Sequence, residues 1–98
     1  MPDPTQVRWT ESATRDLRRI TRYIRKDNSA AARAVAKATI DAAEALAHFP
    51  LRGREGKIDG TRELVVSGLP YIVVYKATRS AIQLLHVYHG ARNYPPGQ

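Results

Sequence analysis

Apolar residues recur along this chain with two different periods, and the change of period divides it into a helical first half and a strand-rich second half. Near the start, Val7 and Trp9 alternate with Gln6, Arg8 and Thr10, the two-residue period of a short strand over residues 6–10 whose apolar side chains share one face. We expect this strand at or next to a sheet edge. The period then lengthens. On a wheel turning about 100° per residue, Ala13, Leu17, Ile20 and Ile24 fall in one narrow sector, while Arg15, Arg18, Arg19, Arg22, Arg25 and Lys26 fall on the opposite side. Thr10 or Ser12 can cap this helix by accepting amide protons of its first turn, and Glu11 and Asp16 suit its positive end. The helix is predicted to run to about residue 28, where Asp27, Asn28 and Ser29 supply turn chemistry and a second cap.

A second, alanine-rich helix is predicted from residue 30 to about residue 48. Ala32, Val35, Ala36, Ile40, Ala43, Leu46 and Ala47 form its expected buried stripe, and Arg33, Lys37, Asp41 and Glu44 its polar face, at spacings that suit weak ion pairs. So many alanines allow two backbones to approach closely, which predicts an antiparallel helical hairpin. Phe49 and Pro50 end the helix. Gly53, Gly56 and Gly60, interleaved with Arg52, Arg54 and Lys57, then read as a flexible, exposed and basic loop. Three strands follow, over residues 62–66, 71–76 and 82 to about 88, and connections of about four residues require an antiparallel meander. In the middle strand Tyr71, Val73 and Tyr75 face one way and Ile72 and Val74 the other, so it is apolar on both faces and belongs at the centre of the sheet. The predicted fold class is α+β: an N-terminal strand, an α-helical hairpin and a three-stranded antiparallel meander, forming one sheet packed on the helices. Residues 1–98 are read as one domain, with flexible ends at 1–4 and about 95–98.

Length and charge narrow the function classes. Ninety-eight residues leave no room for a multi-domain enzyme. Sixteen Lys and Arg against nine Asp and Glu give a net charge of +7 and a pI near 10.3, which predicts an acidic partner: nucleic acid, an acidic protein segment or an anionic surface. The chain has no cysteine, which excludes a disulfide framework, a thiolate metal site and a cysteine nucleophile, and suits a reducing cytoplasm. The longest strongly apolar run, residues 71–75, is far too short to cross a bilayer, and no leader precedes the first strand, so membrane insertion and secretion are not expected. His48, His86 and His89 are too scattered for a metal site, and no cofactor is expected. His86 and His89, three positions apart, fall on opposite faces of a regular strand, which argues against a two-histidine site. Glu63 and Asp59 read as too isolated for paired-carboxylate catalysis. Trp9, Tyr23, Tyr71, Tyr75 and Tyr88 read as core or sheet packing.

The order of these elements, with Phe49-Pro50 before Arg52-Gly53, then Arg62-Glu63-Leu64, then Pro70-Tyr71-Ile72-Val73-Val74-Tyr75, then His89-Gly90-Ala91-Arg92, resembles the RelE/ParE toxin superfamily of bacterial type II toxin–antitoxin modules over nearly the whole chain. The resemblance implies a small cytoplasmic toxin neutralised by a cognate antitoxin, with DNA reached only indirectly, through that antitoxin. Two activities share the scaffold. The RelE-like branch cuts messenger RNA on the ribosome, whereas the ParE-like branch poisons DNA gyrase and is no nuclease. Metal-free RNA cleavage needs a base, cations to balance the in-line phosphate, and an acid. In the RelE-like pattern Arg62, His89, Arg92 and Tyr94 would be the catalytic set, but that pattern places a further Arg where this chain has Ile72, and isoleucine cannot balance phosphate charge. The Pro-Tyr-Ile-Val-Val-Tyr strand and the His-Gly-Ala-Arg ending look ParE-like, so the expected activity is gyrase inhibition without chemistry, with ribosome-dependent cleavage as the alternative. Arg92 and Tyr94 are then expected to matter for toxicity. Arg15, Arg18, Arg22, Arg25, Arg52 and Arg54 are expected to meet the antitoxin or another acidic partner. His89 keeps two readings, proton transfer in a cleft opened by Gly90 or a hydrogen bond to a neighbouring carbonyl at a strand end.

Overall fold

The computed structural model describes residues 5–91 of the chain, so the predicted flexible ends, and Arg92 and Tyr94 with them, lie outside the described residues. In chain order the elements are β1 (Gln6–Trp9), α1 (Glu11–Arg25), α2 (Ser29–Ala45), β2 (Arg54–Glu55), β3 (Arg62–Val65), β4 (Tyr71–Ala77) and β5 (Ala81–His89). The fold class is the α+β one that the periodicity predicts, with the strands ordered β1-β5-β4-β3-β2 in one sheet. β4 is its central strand, as its two apolar faces require. β1 runs parallel to β5 with Val7 opposite Ile82 and Trp9 opposite Leu84, and β3, β4 and β5 form the expected antiparallel meander. β2 was not expected. It is a two-residue strand inside the basic loop, pairing Arg54 with Glu63 and Glu55 with Arg62.

Local chemistry sets the helix limits. The Thr10 hydroxyl accepts the Ala13 amide proton at 3.2 Å and caps α1, a bond type that contributes about 1 kcal/mol. α1 stops at Arg25 rather than near 28: the Asp27 amide tightens to the Ile24 carbonyl three residues back, at 3.1 Å, and Asn28 turns to extended backbone at φ −156° and ψ 100°. Asn28 is thereby freed to cap α2, its side-chain oxygen accepting from the Ala31 amide at 2.9 Å. α2 ends at Ala45, three residues before the predicted limit, and Leu46 and Ala47 continue as a turn.

Ala13, Ala43 and Leu46 from the helical side meet Val66, Val73, Tyr75, Ile82, Leu84 and Val87 from the sheet in one core. Two packing expectations need correction. Ile40, expected in the buried stripe of α2, is 40% exposed, while Thr39 is fully buried. The wheel explains the exchange, since residue 39 lies between the directions of 32, 35, 43 and 46 and residue 40 lies at their flank. Tyr23, an expected packing residue, stands 71% exposed on α1.

Asp16 holds an unpaired part of the sheet edge. β1 ends opposite Leu84, so the β5 backbone beyond it lacks a strand partner on that side. The Thr10 amide and hydroxyl both donate to the Leu84 carbonyl, and the Asp16 carboxylate accepts the Val87 amide proton at 3.1 Å and lies 3.2 Å from His86 Nδ1. The register shift between Val74 and Tyr75 leaves Leu85 as an extra residue at this point of β5.

Candidate functional site

The segment from Phe49 to Lys57 was expected to be flexible, and the structure corrects that expectation. Three side chains of the sheet hold its backbone. The Tyr75 hydroxyl, fully buried, donates to the Pro50 carbonyl at 2.9 Å and accepts from the Gly53 amide at 2.9 Å. Arg62 Nη1 donates to the Gly53 carbonyl at 2.8 Å. The Glu63 carboxylate accepts from the Lys57 amide at 3.0 Å, from Arg54 Nη2 at 3.1 Å and from the Tyr88 hydroxyl at 3.3 Å. Glycine at 53 is a packing requirement here, because a Cβ would lie 2.8 Å from the Tyr75 ring edge and hydroxyl and 3.0 Å from the Glu63 carbonyl.

Glu63 is the residue that sequence reasoning missed. It is only 2% exposed. Burial pushes its carboxyl upward, but the Lys57 amide, Arg54 and Tyr88 together hold it below the ordinary glutamate value, so the group is charged at neutral pH. A signal for it existed in the sequence. It was partial: β4 is apolar on both faces, which predicts that both faces of the sheet are covered and that a charged residue on a neighbouring strand is paired, but not which residues pair with it.

The pinned segment turns large apolar side chains outward. Phe49 is 61% exposed and Leu51 66%, and the Arg52 guanidinium stands over the Phe49 ring at 5.6 Å from its centre. Phe49, Pro50, Leu51 and Arg52 line an open hollow of about 450 Å³. A second hollow of about 480 Å³, with Glu55, Asp59, Thr61 and Arg62 in its wall, shares Leu51 with the first. Arg52 and Arg54 are both exposed at this surface. Exposed apolar side chains on a backbone that hydrogen bonds hold in place, with Arg52 beside them and both Arg62 and the Glu55 and Asp59 carboxylates in the second hollow, can hold an amphipathic partner.

The described members of the nuclease set do not converge. Arg62 lies opposite Tyr75 and His89 opposite Tyr71, which puts the two about 13 Å apart along the strands and about 10 Å across two strand spacings. Buried Val73 lies between them. Arg62 is occupied with the Gly53 carbonyl. His89 Nδ1 accepts from the Ala91 amide at 3.0 Å and its ring meets Tyr71 edge-on at 5.6 Å, so its strand-end role is real but its partner is an amide, not a carbonyl. Ile72, where the RelE-like pattern has an arginine, is buried in β4. His86 faces Asp16 and lies on the face of β5 opposite to that of His89. No group of three or more metal-ligating side chains occurs among the described residues, and no described helix is long and apolar enough to cross a membrane.

Arg15, Arg18, Arg22 and Arg25 lie on α1, all exposed, on a surface separate from Arg52 and Arg54. Among the described residues no side-chain hydrogen bond or ion pair engages their guanidinium groups.

Comparison with known proteins agrees with this architecture. The family model described as the ParE toxin of type II toxin–antitoxin system, parDE, matches residues 7–94. The chain is 44% identical over 91 residues to a putative toxin, Y4kP, of Sinorhizobium fredii, covering 92% of this chain and 93% of that protein. It is 37% identical over 87 residues to toxin RelE2 of Caulobacter vibrioides, covering 89% of this chain and 97% of that one. Among solved structures, a chromosomal ParDE toxin–antitoxin system from P. aeruginosa superposes with a TM-score of 0.77 at 20% identity, covering 88% of this chain and 96% of the other, a likeness of fold.

Proposed function

The chain belongs to the ParE toxin family of type II toxin–antitoxin systems, and from that premise we propose that it arrests growth by binding DNA gyrase and stalling it on DNA, as an interaction protein with no chemistry of its own. A cognate antitoxin is its partner in the module. The observation that carries the gyrase reading over the nuclease one is the separation of Arg62 from His89. Metal-free cleavage needs its base, acid and phosphate-balancing cations around one phosphate, and here one candidate is spent on a loop carbonyl while the other stands across buried Val73.

The pinned surface is the place for an acidic, amphipathic antitoxin segment. Phe49 and Leu51 supply the apolar area, and Arg52 and Arg54 pair with its carboxylates. We assign the C-terminal Arg92 and Tyr94 to toxicity, so Arg92→Ala should reduce growth inhibition in a chain that still folds. A second reading draws on the Caulobacter relative, which is named a RelE toxin. Under it Arg62, His89, Arg92 and Tyr94 would cleave messenger RNA on the ribosome.

Pulse labelling after induction of this chain alone separates the two. Under the gyrase reading, DNA precursor incorporation collapses before amino-acid incorporation, and purified gyrase with the chain accumulates cleaved DNA. If amino-acid incorporation collapses first and transcripts are cut, the gyrase reading is wrong.

A further inference from the structure

The cations of α1 are ordered in a way that the antitoxin surface is not. Taking about 100° per residue, Arg15 and Arg22, Arg18 and Arg25, and Arg19 and Lys26 form three rows, each row joining two residues seven apart and therefore about 10.5 Å apart along the axis. The three rows span an arc of about 120° centred opposite buried Ala13. All six side chains are exposed, and five of the six are guanidinium groups, whose forked donors match phosphate oxygens. The acidic residues of the helix do not offset them. Asp16 is turned to the Val87 amide and His86; Glu11 lies within the arc at its N-terminal end, makes no ion pair among the described residues, and leaves the face a net charge of about +5.

What this arc lacks decides its ligand. It contains no apolar side chain; Tyr23 lies at its border, next to the Arg19–Lys26 row. A peptide that orders on binding must bury apolar surface to offset its lost entropy, and this face offers none. A polyanion that is already rigid has no such need. Single strands are bound by stacking their bases on aromatic platforms, and one border tyrosine makes no platform. Duplex DNA carries one charge per about 1.7 Å of axis, and its major groove, about 12 Å wide, admits a helix with phosphates on both rims. Rows on either flank of the arc would reach the two rims while the Arg15–Arg22 row lies between them.

We propose that the exposed face of α1 is a sequence-independent binding site for duplex DNA, read through its phosphates, so that the toxin itself touches DNA and not only through its antitoxin. The inference does not depend on the gyrase reading, since it concerns the chain and DNA alone. The two fail separately.

The test is fluorescence anisotropy of a labelled 30-base-pair duplex of arbitrary sequence, titrated with the full chain at several salt concentrations. Dissociation constants in the micromolar range are expected, weakening with salt at a log–log slope of about −3 to −5 for the cations that reach phosphate together. Arg15→Gln with Arg22→Gln should reduce the slope by about 2 and weaken binding at least about tenfold near 100 mM salt. Arg33→Gln with Lys37→Gln removes the same charge from α2 and should change binding less than about threefold. Circular dichroism melts confirm that each variant is folded. The proposal is overturned if the native chain shows no salt-dependent binding, or if the α2 pair weakens it as much as the α1 pair. It is equally overturned if polyglutamate at equal charge displaces the duplex, which would make the face a site for acidic protein, or if a double-stranded RNA of equal length binds more tightly.

Discussion

The segment from Phe49 to Lys57 and the outer face of α1 are both basic and both exposed, yet they are built in opposite ways. In the loop, the backbone is tied to named side chains: Tyr75 spans Pro50 and Gly53, Arg62 holds the Gly53 carbonyl, and Glu63 gathers Lys57, Arg54 and Tyr88. On α1 the guanidinium groups have no partner among the described residues, and the helix would form as well without them. The loop therefore spends buried hydrogen bonds on fixing the position of two apolar side chains, Phe49 and Leu51. The helix leaves its charges in water, available to any rigid anion. Position is what an apolar contact needs, whereas charge acts at a distance and tolerates motion. The difference predicts that substitutions in the loop anchors act on stability and those on α1 act on association.

Removing the Glu63 carboxylate should produce the largest effect. Glu63→Ala removes the buried carboxylate that Arg54, the Lys57 amide and the Tyr88 hydroxyl share and opens space beside Val74, a loss on the order of 3 kcal/mol, or about 15 °C in melting temperature. Because the folded carboxyl titrates below its ordinary value, its contribution is complete above the unfolded value near 4.5 and is lost as pH falls through the folded value. The melting difference between the native chain and Glu63→Gln should thus be widest at neutral pH and shrink in acid. A difference that stays constant from pH 7 to pH 3 would show that the charge is not what ties the loop to the sheet.

Gly53→Ala comes next. Its methyl group would enter the space of the buried Tyr75 ring and the Glu63 carbonyl, neither of which can withdraw without breaking the bonds to Pro50 or the β3 ladder. Overpacking of this kind costs about 1–3 kcal/mol. Hydrogen exchange should show the Gly53 and Lys57 amides opening faster, along with the melt. If exchange at these two amides is unchanged while the melting temperature drops, the loop is not held by Tyr75 and the contrast with α1 weakens.

The same contrast explains which parts of the molecule were legible in the sequence. The hairpin, the meander and the central place of β4 follow from apolar period alone, since burial acts through position in the pattern and needs no knowledge of partners. The two-residue strand β2 and the role of Glu63 do not. Both arise from pairing across a glycine-rich turn, Arg54 with Glu63 nine residues on and Glu55 with Arg62 seven on, and glycine in a sequence reads as freedom until the tyrosine that fills the adjacent space is known. Ile40 and Thr39 exchanged places for a related reason: hydrophobicity suggested the isoleucine, but the centre of the helix stripe is occupied by position, and the threonine is there. Arg62 was legible as a cation but not as a donor to the Gly53 carbonyl, because the sequence shows a charge and not the carbonyl it serves.

The smallest effect on stability, and the sharpest form of the comparison, belongs to α1. Arg15→Gln with Arg22→Gln removes two charges that no described residue pairs with and leaves a residue of good helix propensity at each position, so the melting temperature should stay within the equivalent of about 0.5 kcal/mol at ordinary salt. At low salt the variant should be slightly more stable than the native chain, because α1 then carries four neighbouring cations instead of six and their mutual repulsion is least screened. Raising the salt concentration should close that gap by stabilising the native chain more than the variant. A native chain that is clearly the more stable of the two at low salt would mean that Arg15 or Arg22 has an intramolecular anion after all, and the outer face of α1 would then have to be counted, like the loop, among the parts that hold the fold together.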